Sequence, residues 1–422
     1  MARAARWLAS WQRARGATVR IHPTSRGRHV VVAHWASTPA APWVVVYGHY
    51  DVQPAGVGWT SDPFTPVVRA GVLYARGAGD DKGQLFAHLC ALDAWRRTGG
   101  PPVHVLVVAE GAEEVGSPGL HPLLARLAGG ERPRAVVVSD TERDEAGAPT
   151  VTVSQRGRVA AQLEVDTGGP AVHPGRLGGA VVDPTLVMAE SLLRLRDELV
   201  PSLGTHPTGG VGPPLHVRAD AAVARTARGR ATVGSDLEAR VTRGGALSVT
   251  RVGSEGPGAG VPARTTARLD LRLPPRADPR QVVARARTVL AQRAPRGTTV
   301  TLRLLASTAG VETMPDPAVR GAVEQACAVG FGTPPTYVRS GGTVPAVRMM
   351  ADAFGRAPVL LGLGTPGGNA HGPDESMDLA GWAAGVDTCA ALLAALASEP
   401  PRARASTPSS STSRHRRGRR DL

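Results

Sequence analysis

Two histidines and three acidic residues stand at the ends of apolar runs or in the glycine-rich loops between them. They are His49 after WVVVYG, Asp80 in GAGDDKG, Glu114 in AEGAEEVGS, Asp140 closing AVVVSD and His371 in GGNAHGPDE. Open α/β sheets build their sites in the crevice beyond the carboxyl ends of the strands. Two imidazoles and three carboxylates gathered there suit a pair of borderline divalent ions, zinc first, with manganese or cobalt as alternatives. The chemistry expected of such a centre is metal-assisted hydrolysis.

Each residue has a job that its type allows. His49 and Asp51 form H-x-D, and in extended chain residues two apart point to the same side. Asp51 is therefore expected to accept a hydrogen bond from the ring nitrogen of His49 that does not face the metal. Asp80 has two oxygens and can bridge two cations, with Asp81 in support; the plainer reading of the pair is a helix N-cap. Glu113 and Glu114 cannot both serve one ion without cost. Glu114 is assigned as ligand and Glu113 as general base toward the attacking water. Taken singly, Asp140 would cap a turn and His371 would be a solvated loop residue. Their joint position at strand ends carries the assignment. Farther along, His173 in AVHPGRLGG is placed to stabilise an oxyanion, and Arg272 in LDLRLPP to clamp a carboxylate, if a second domain closes over the site. Alone, both read as surface residues.

The positioning elements follow from periodicity. Short β-branched runs at 43–47, 103–109 and 135–139 alternate with helical patterns at 83–97 and 118–128. Such alternation predicts an α/β domain with a mostly parallel central sheet and helices on both faces. An amphipathic helix is expected at 2–14. Near residue 157 the period changes to two, in 159–166 and 265–273, with helices at 185–198 and 279–292. That predicts an inserted α+β domain. After Leu305 the α/β pattern returns, with a helix at 317–329, a strand at 358–362 and a helix at 379–397. The expected division is a catalytic domain at 1–156 and 306–398, an insert at 157–305 and a disordered tail at 399–422. Residues 200–233 give no clear pattern. Ser117-Pro118, Asp183-Pro184, Asp278-Pro279 and Asp316-Pro317 predict capped helix starts.

Composition narrows the class. At 422 residues the chain exceeds what one core usually serves. Its net charge of +14 invites a nucleic-acid reading. Against that, Lys82 is the single lysine, seven arginines lie in the tail after Pro400, and the aromatic share is 4%. Nucleic-acid binding is not expected as a main function. The N-terminus lacks a secretory pattern, and no apolar run is read as spanning a membrane. Cys90, Cys327 and Cys389 lie far apart in helical stretches and read as buried thiols, which fits a cytoplasmic location.

The motifs GHYDVQPAGVGWTSDPF, RGAGDDKGQ, EGAEEVGS, VVVSD, SQRGRV, HPGRLGGAVVDP, SGGTVPAV and NAHGPDE resemble the M20 metallopeptidases, in particular the carnosinase-type dipeptidase branch. The resemblance runs from about Arg6 to Ala397. It implies a two-metal catalytic domain interrupted by a lid domain that also makes a homodimer. His49, Asp80 and Asp140 would hold one ion, and His371, Asp80 and Glu114 the other. It further implies Glu113 as base, Asp51 as partner of His49, His173 reaching the neighbouring subunit's site, and Arg272, Gly342 and Thr343 contacting substrate. The chain departs from the pattern at Ser340, where the family often has Glu, near Ala259, in the short N-terminal region and in the short stretch at 200–233. These departures bear on substrate range rather than on the metal centre. The expectation is a cytoplasmic, dimeric metallodipeptidase acting on small peptides. The alternatives are an N-acyl-amino-acid deacylase of the same family and a non-catalytic metal- or peptide-binding protein.

Overall fold

The chain is described from a computed structural model covering residues 1–24, 27–129, 132–204, 218–219, 236–255 and 260–398. The expected strand at 43–47 extends over Trp43–His49, and its side chains alternate between two cores. Val44 and Val46 join the helices Ala2–Arg13, Lys82–Arg97, Pro317–Phe331 and Leu379–Ala397. Val45 and Tyr47 join Leu120–Leu127 and Pro345–Phe354 on the other face. A strand buried on both faces reads as a continuous apolar run, which explains why WVVVY shows no alternation.

Four neighbouring strands lie parallel at the centre of the large sheet: His104–Glu110, Trp43–His49, Ala135–Val138 and Val359–Gly362. Their carboxyl ends point the same way, so the loops that follow converge. The flanks are mixed. Thr18–Pro23 and His29–Trp35 add antiparallel strands at one edge, and Thr150–Gln155 runs antiparallel to Val359–Gly362 before pairing in parallel with Thr336–Ser340.

A second, antiparallel sheet runs in the order Ala246–Glu255, Arg264–Leu273, Gly157–Asp166, Thr299–Thr308. Its own core packs under the helices Pro184–Arg194 and Pro279–Ala291. The two inner strands show the period of two visible in the sequence. The two edge strands are largely exposed and lose that signature.

Three of the four capped starts occur. Asp183, Asp278 and Asp316 accept main-chain N–H bonds from Thr185, Arg280 and Ala318. The fourth does not: Ser117 donates its hydroxyl to Glu110, and the helix begins at Leu120. Two further readings are corrected. Cys90 is only half-buried, unlike Cys327 and Cys389; among the described residues all three thiols are free. The helix Leu379–Ala397 is long and apolar enough to cross a membrane by length and composition. Its apolar character is that of a core helix. Leu392, Leu393 and Leu396 are buried in the same core as Lys82–Arg97 and Pro317–Phe331, and Asp387 is exposed. The tail at 399–422, Ala259 and most of 200–233 lie outside the described residues.

Candidate metal centre

His49 is the last residue of its strand and is 1% exposed. Its Nε2 lies 2.9 Å from Asp80 Oδ1 and 3.7 Å from Asp140 Oδ1. Its Nδ1 faces the carbonyl oxygen of Asp51 at 3.0 Å, while the Asp51 carboxylate stands off at 3.5 Å. The expected carboxylate–imidazole bond is thus replaced by a main-chain acceptor, which orients the ring equally well. The glycine before it is required by space. A Cβ at Gly48 would stand 2.7 Å from Asp81 Oδ2 and 2.9 Å from Leu85 Cβ.

Asp80 sits in the turn that opens the helix Lys82–Arg97. Its Oδ1 faces His49, and its Oδ2 lies 2.9 Å from Nε2 of His371. One carboxylate thereby touches both imidazoles. Asp81 makes no side-chain cap to its helix. Instead its Oδ2 accepts the main-chain N–H of His49 at 2.9 Å. The N-cap reading of this pair therefore fails, because the second carboxylate is spent on the strand end.

The Asp51 carboxylate accepts the main-chain N–H groups of Glu113 and Glu114 at 3.1 and 3.2 Å, and a bond from Arg28. It fixes the single 3₁₀ turn on which the two glutamates stand. Gln53 donates to Glu114 Oε2 at 2.7 Å, leaving Oε1 3.2 Å from His371 Nε2. Two groups of possible ligands result: His49, Asp80 and Asp140, and Asp80, Glu114 and His371.

Three buried residues that sequence reasoning did not single out hold this arrangement. Glu375 accepts the N–H groups of Gly77, Gly79 and Asp80 and pairs with Arg76. Arg76 also donates to the carbonyls of Pro54, Ala55 and His371. His88 sits 2.8 Å from Ser139, next to Asp140. Glu375 shares the motif HGPDE with His371, and that proximity is the one signal of its role in the sequence.

The electrostatics are those of crowded, dehydrated charge. Burial pushes Glu113 up to about 8, reinforced by the Asp140 carboxylate, and pushes Asp140 itself to about 6. Burial also drives Asp81 well above the usual carboxylate range. Burial pulls His49 down, but the surrounding Asp140, Asp51 and Asp80 carboxylates outweigh that and hold it well above an ordinary histidine. The Asp80 and Glu114 carboxylates facing its Nε2 lift His371 to about 10. Burial raises Asp80, yet the two imidazoles overcome it and hold it low. Carboxylates packed this way favour positive charge between them. Glu114 Oε1 is buried and, although His371 Nε2 lies 3.2 Å away, receives no well-aligned hydrogen bond, and the two-nitrogen, multi-oxygen donor set suits divalent zinc-like ions. The residues fit a two-cation centre.

The other expected residues fall into two groups. Arg272 donates to Thr343 at 3.2 Å and to Asp270 at 2.9 Å, so the second sheet meets the 340–345 loop. Gly342 lines a cavity of about 210 Å³ together with Asp80, Asp140, Gln155 and Ser340. His173 is different. It is exposed and caps the short helix Pro174–Leu177, accepting from Gly175 at 3.1 Å. Its own chain does not bring it into either ligand group. A larger apolar cavity of about 470 Å³, walled by Trp7, Phe64, Phe86 and Trp382, touches the Asp80 loop but has no acid or imidazole in its lining.

Comparison with known proteins bears on this site. Residues 45–395 match the model of "Peptidase family M20/M25/M40". The "Cysteinylglycine-S-conjugate dipeptidase" of Corynebacterium striatum is 30% identical over 394 residues, covering 89% of this chain and 86% of that protein. The human "Beta-Ala-His dipeptidase" is 27% identical over 403 residues, covering 87% and 77%. The solved structure of the di-peptidase Dug1p from Saccharomyces cerevisiae superposes with a TM-score of 0.76 at 25% identity, covering 94% of this chain and 91% of that one.

Proposed function

Because this chain belongs to peptidase family M20/M25/M40, we propose that it is a two-metal dipeptidase whose centre is organised by Asp80. The observation that carries the reading is the division of the Asp80 carboxylate, one oxygen toward His49 and the other toward His371. His49, Asp80 and Asp140 would hold one ion, and His371, Asp80 and Glu114 the second. Zinc suits the mixed nitrogen and oxygen donors, with manganese and cobalt as close alternatives. When bound, the ions supply Lewis-acid polarisation of the scissile carbonyl and lower the pKa of water.

The protein's own residues supply orientation and proton transfer. Glu113 stands beside Glu114 on the turn held by Asp51. It accepts the proton of the attacking water and returns it to the nitrogen of the leaving amine. Arg272, Thr343 and Gly342 face the substrate side, the guanidinium taking the terminal carboxylate of the peptide. His173 would enter from a second copy of the chain and stabilise the oxyanion, which makes the active form a homodimer. Dipeptides are the substrate class supported by the relatives' activities, and the three free thiols agree with a cytoplasmic setting.

The test is a panel of dipeptides and N-acyl amino acids assayed on protein loaded with Zn, Mn or Co. Turnover of dipeptides, with acyl amino acids at least tenfold poorer, is expected. The reverse order would make the enzyme a deacylase.

A further inference from the structure

Arg76 is 1% exposed and carries a full charge into the interior, where one acid meets it. Its Nη1 donates to Glu375 Oε2 at 2.7 Å. Its Nη2 spreads over three carbonyls: Pro54 at 3.3 Å, Ala55 at 3.2 Å and His371 at 3.2 Å. Glu375, 0% exposed, uses Oε1 on the N–H groups of Gly79 and Asp80 and Oε2 on Gly77, each at 2.9 Å. The pair thus ties together the loop after His49, the loop of Asp80 and the loop of His371. Two apolar side chains could fill the same space with no loss of stability. They could not hold three loops in register.

The two halves of the centre differ in how much they need this. His49 is anchored by its strand, by Asp81 at its N–H and by Asp51 at its ring. Asp140 directly follows the buried strand Ala135–Val138 and Ser139. His371 has neither support. It lies in a loop where Asn369, His371 and Asp374 all have positive φ, at 57°, 64° and 53°. Non-glycine residues there carry strain and persist when the surroundings over-determine them. The carbonyl of His371 is the atom that Arg76 holds.

We infer that Arg76 and Glu375 are a positioning pair that locks His371 to Asp80, so that they govern occupancy of the His371 half of the centre and not of the His49 half. The inference rests on the two-metal reading above. It predicts an asymmetry that a general structural role would not give.

The experiment is Co(II) titration of the full-length apoprotein by calorimetry and visible absorption, with thermal unfolding recorded in the absence of metal. Wild type should take up two ions. Arg76→Lys keeps the charge but loses the fork. It should weaken one site about tenfold or more, as loss of a residue supporting a metal ligand does, and leave the other within about threefold. Glu375→Gln, of nearly equal volume, should do the same, and it decides the matter if the arginine variant does not fold. Wild type binding fewer than two ions would sink the two-metal reading itself. Two ions in wild type, with both sites or neither weakened in the variants, would overturn the inference alone. So would failure of both variants to fold, which would mark the pair as a folding element.

Discussion

The carboxylate of Asp51 accepts the main-chain N–H of Glu113 at 3.1 Å, so the residue two beyond His49 holds the turn of the proposed base. Its second oxygen takes the N–H of Glu114. H-x-D therefore acts between loops through the Asp51 side chain, while the Asp51 carbonyl orients the His49 ring.

Asp51→Ala leaves two N–H groups of a half-buried turn without their acceptor. A loss of about 1–3 kcal/mol in folding stability is expected from the unpaired groups. A fall of about 10–100-fold in metal affinity should accompany it. Urea denaturation and metal titration measure the two effects. Unchanged affinity would show that the turn holds itself.

Gly48→Ala tests the packing between the strand end and the helix behind it. The added methyl meets Asp81 Oδ2 and the Leu85 Cβ inside ordinary contact distance. Overpacking of this kind costs about 1–3 kcal/mol, and it should also displace the acceptor of the His49 N–H. Lower denaturation midpoints with an unchanged m-value are expected. A variant as stable as wild type would mean that the contact relaxes freely.

Thr343→Val removes the hydroxyl that joins Arg272 to the 340–345 loop and donates to the Arg156 carbonyl. A freed Arg272 should bind the substrate carboxylate less well. The expected result is a KM raised about tenfold or more for dipeptides, equivalent to one charge-assisted hydrogen bond, with metal content unaltered. An unchanged KM would remove Arg272 from the substrate side.

Acid sensitivity should arise partly from His88. It is buried against Ser139, and burial pulls its imidazole down to about 4 from 6.5. The unfolded chain therefore takes up this proton first. Its contribution is intact above pH 6.5 and drains away as pH falls toward 4. About 2 kcal/mol should go between about pH 7.5 and about pH 5. His88→Gln should lose that much less over the same interval, measured by urea denaturation at both pH values. Parallel profiles for the two proteins would contradict the assignment.

Much of the centre is legible in the amino-acid sequence, because parallel strands buried on both faces leave long apolar runs, and the residues at their ends stand out. His49 and Asp140 stand at two such ends, and Asp80, Glu114 and His371 stand in the loops and turns between elements. The support beneath them carries no such mark. Arg76 and Glu375 lie 299 residues apart, and each looks like an ordinary charged residue in a loop. Ser117 looks like a helix cap because its side chain suits that role, and only the buried Glu110 explains its diversion. The outer strands Ala246–Glu255 and Thr299–Thr308 leave no clear pattern because an exposed edge need not alternate. His173 stays unexplained within a single chain; its proposed role depends on a second copy.

The central claim is that one aspartate is shared by two cations. Anomalous diffraction at the zinc edge, from crystals of the zinc-loaded enzyme, tests it most directly. The account predicts two peaks per chain, one between Asp80 and the His49–Asp140 pair, the other between Asp80 and the His371–Glu114 pair. A single peak, or two peaks of which one does not touch Asp80, would contradict it.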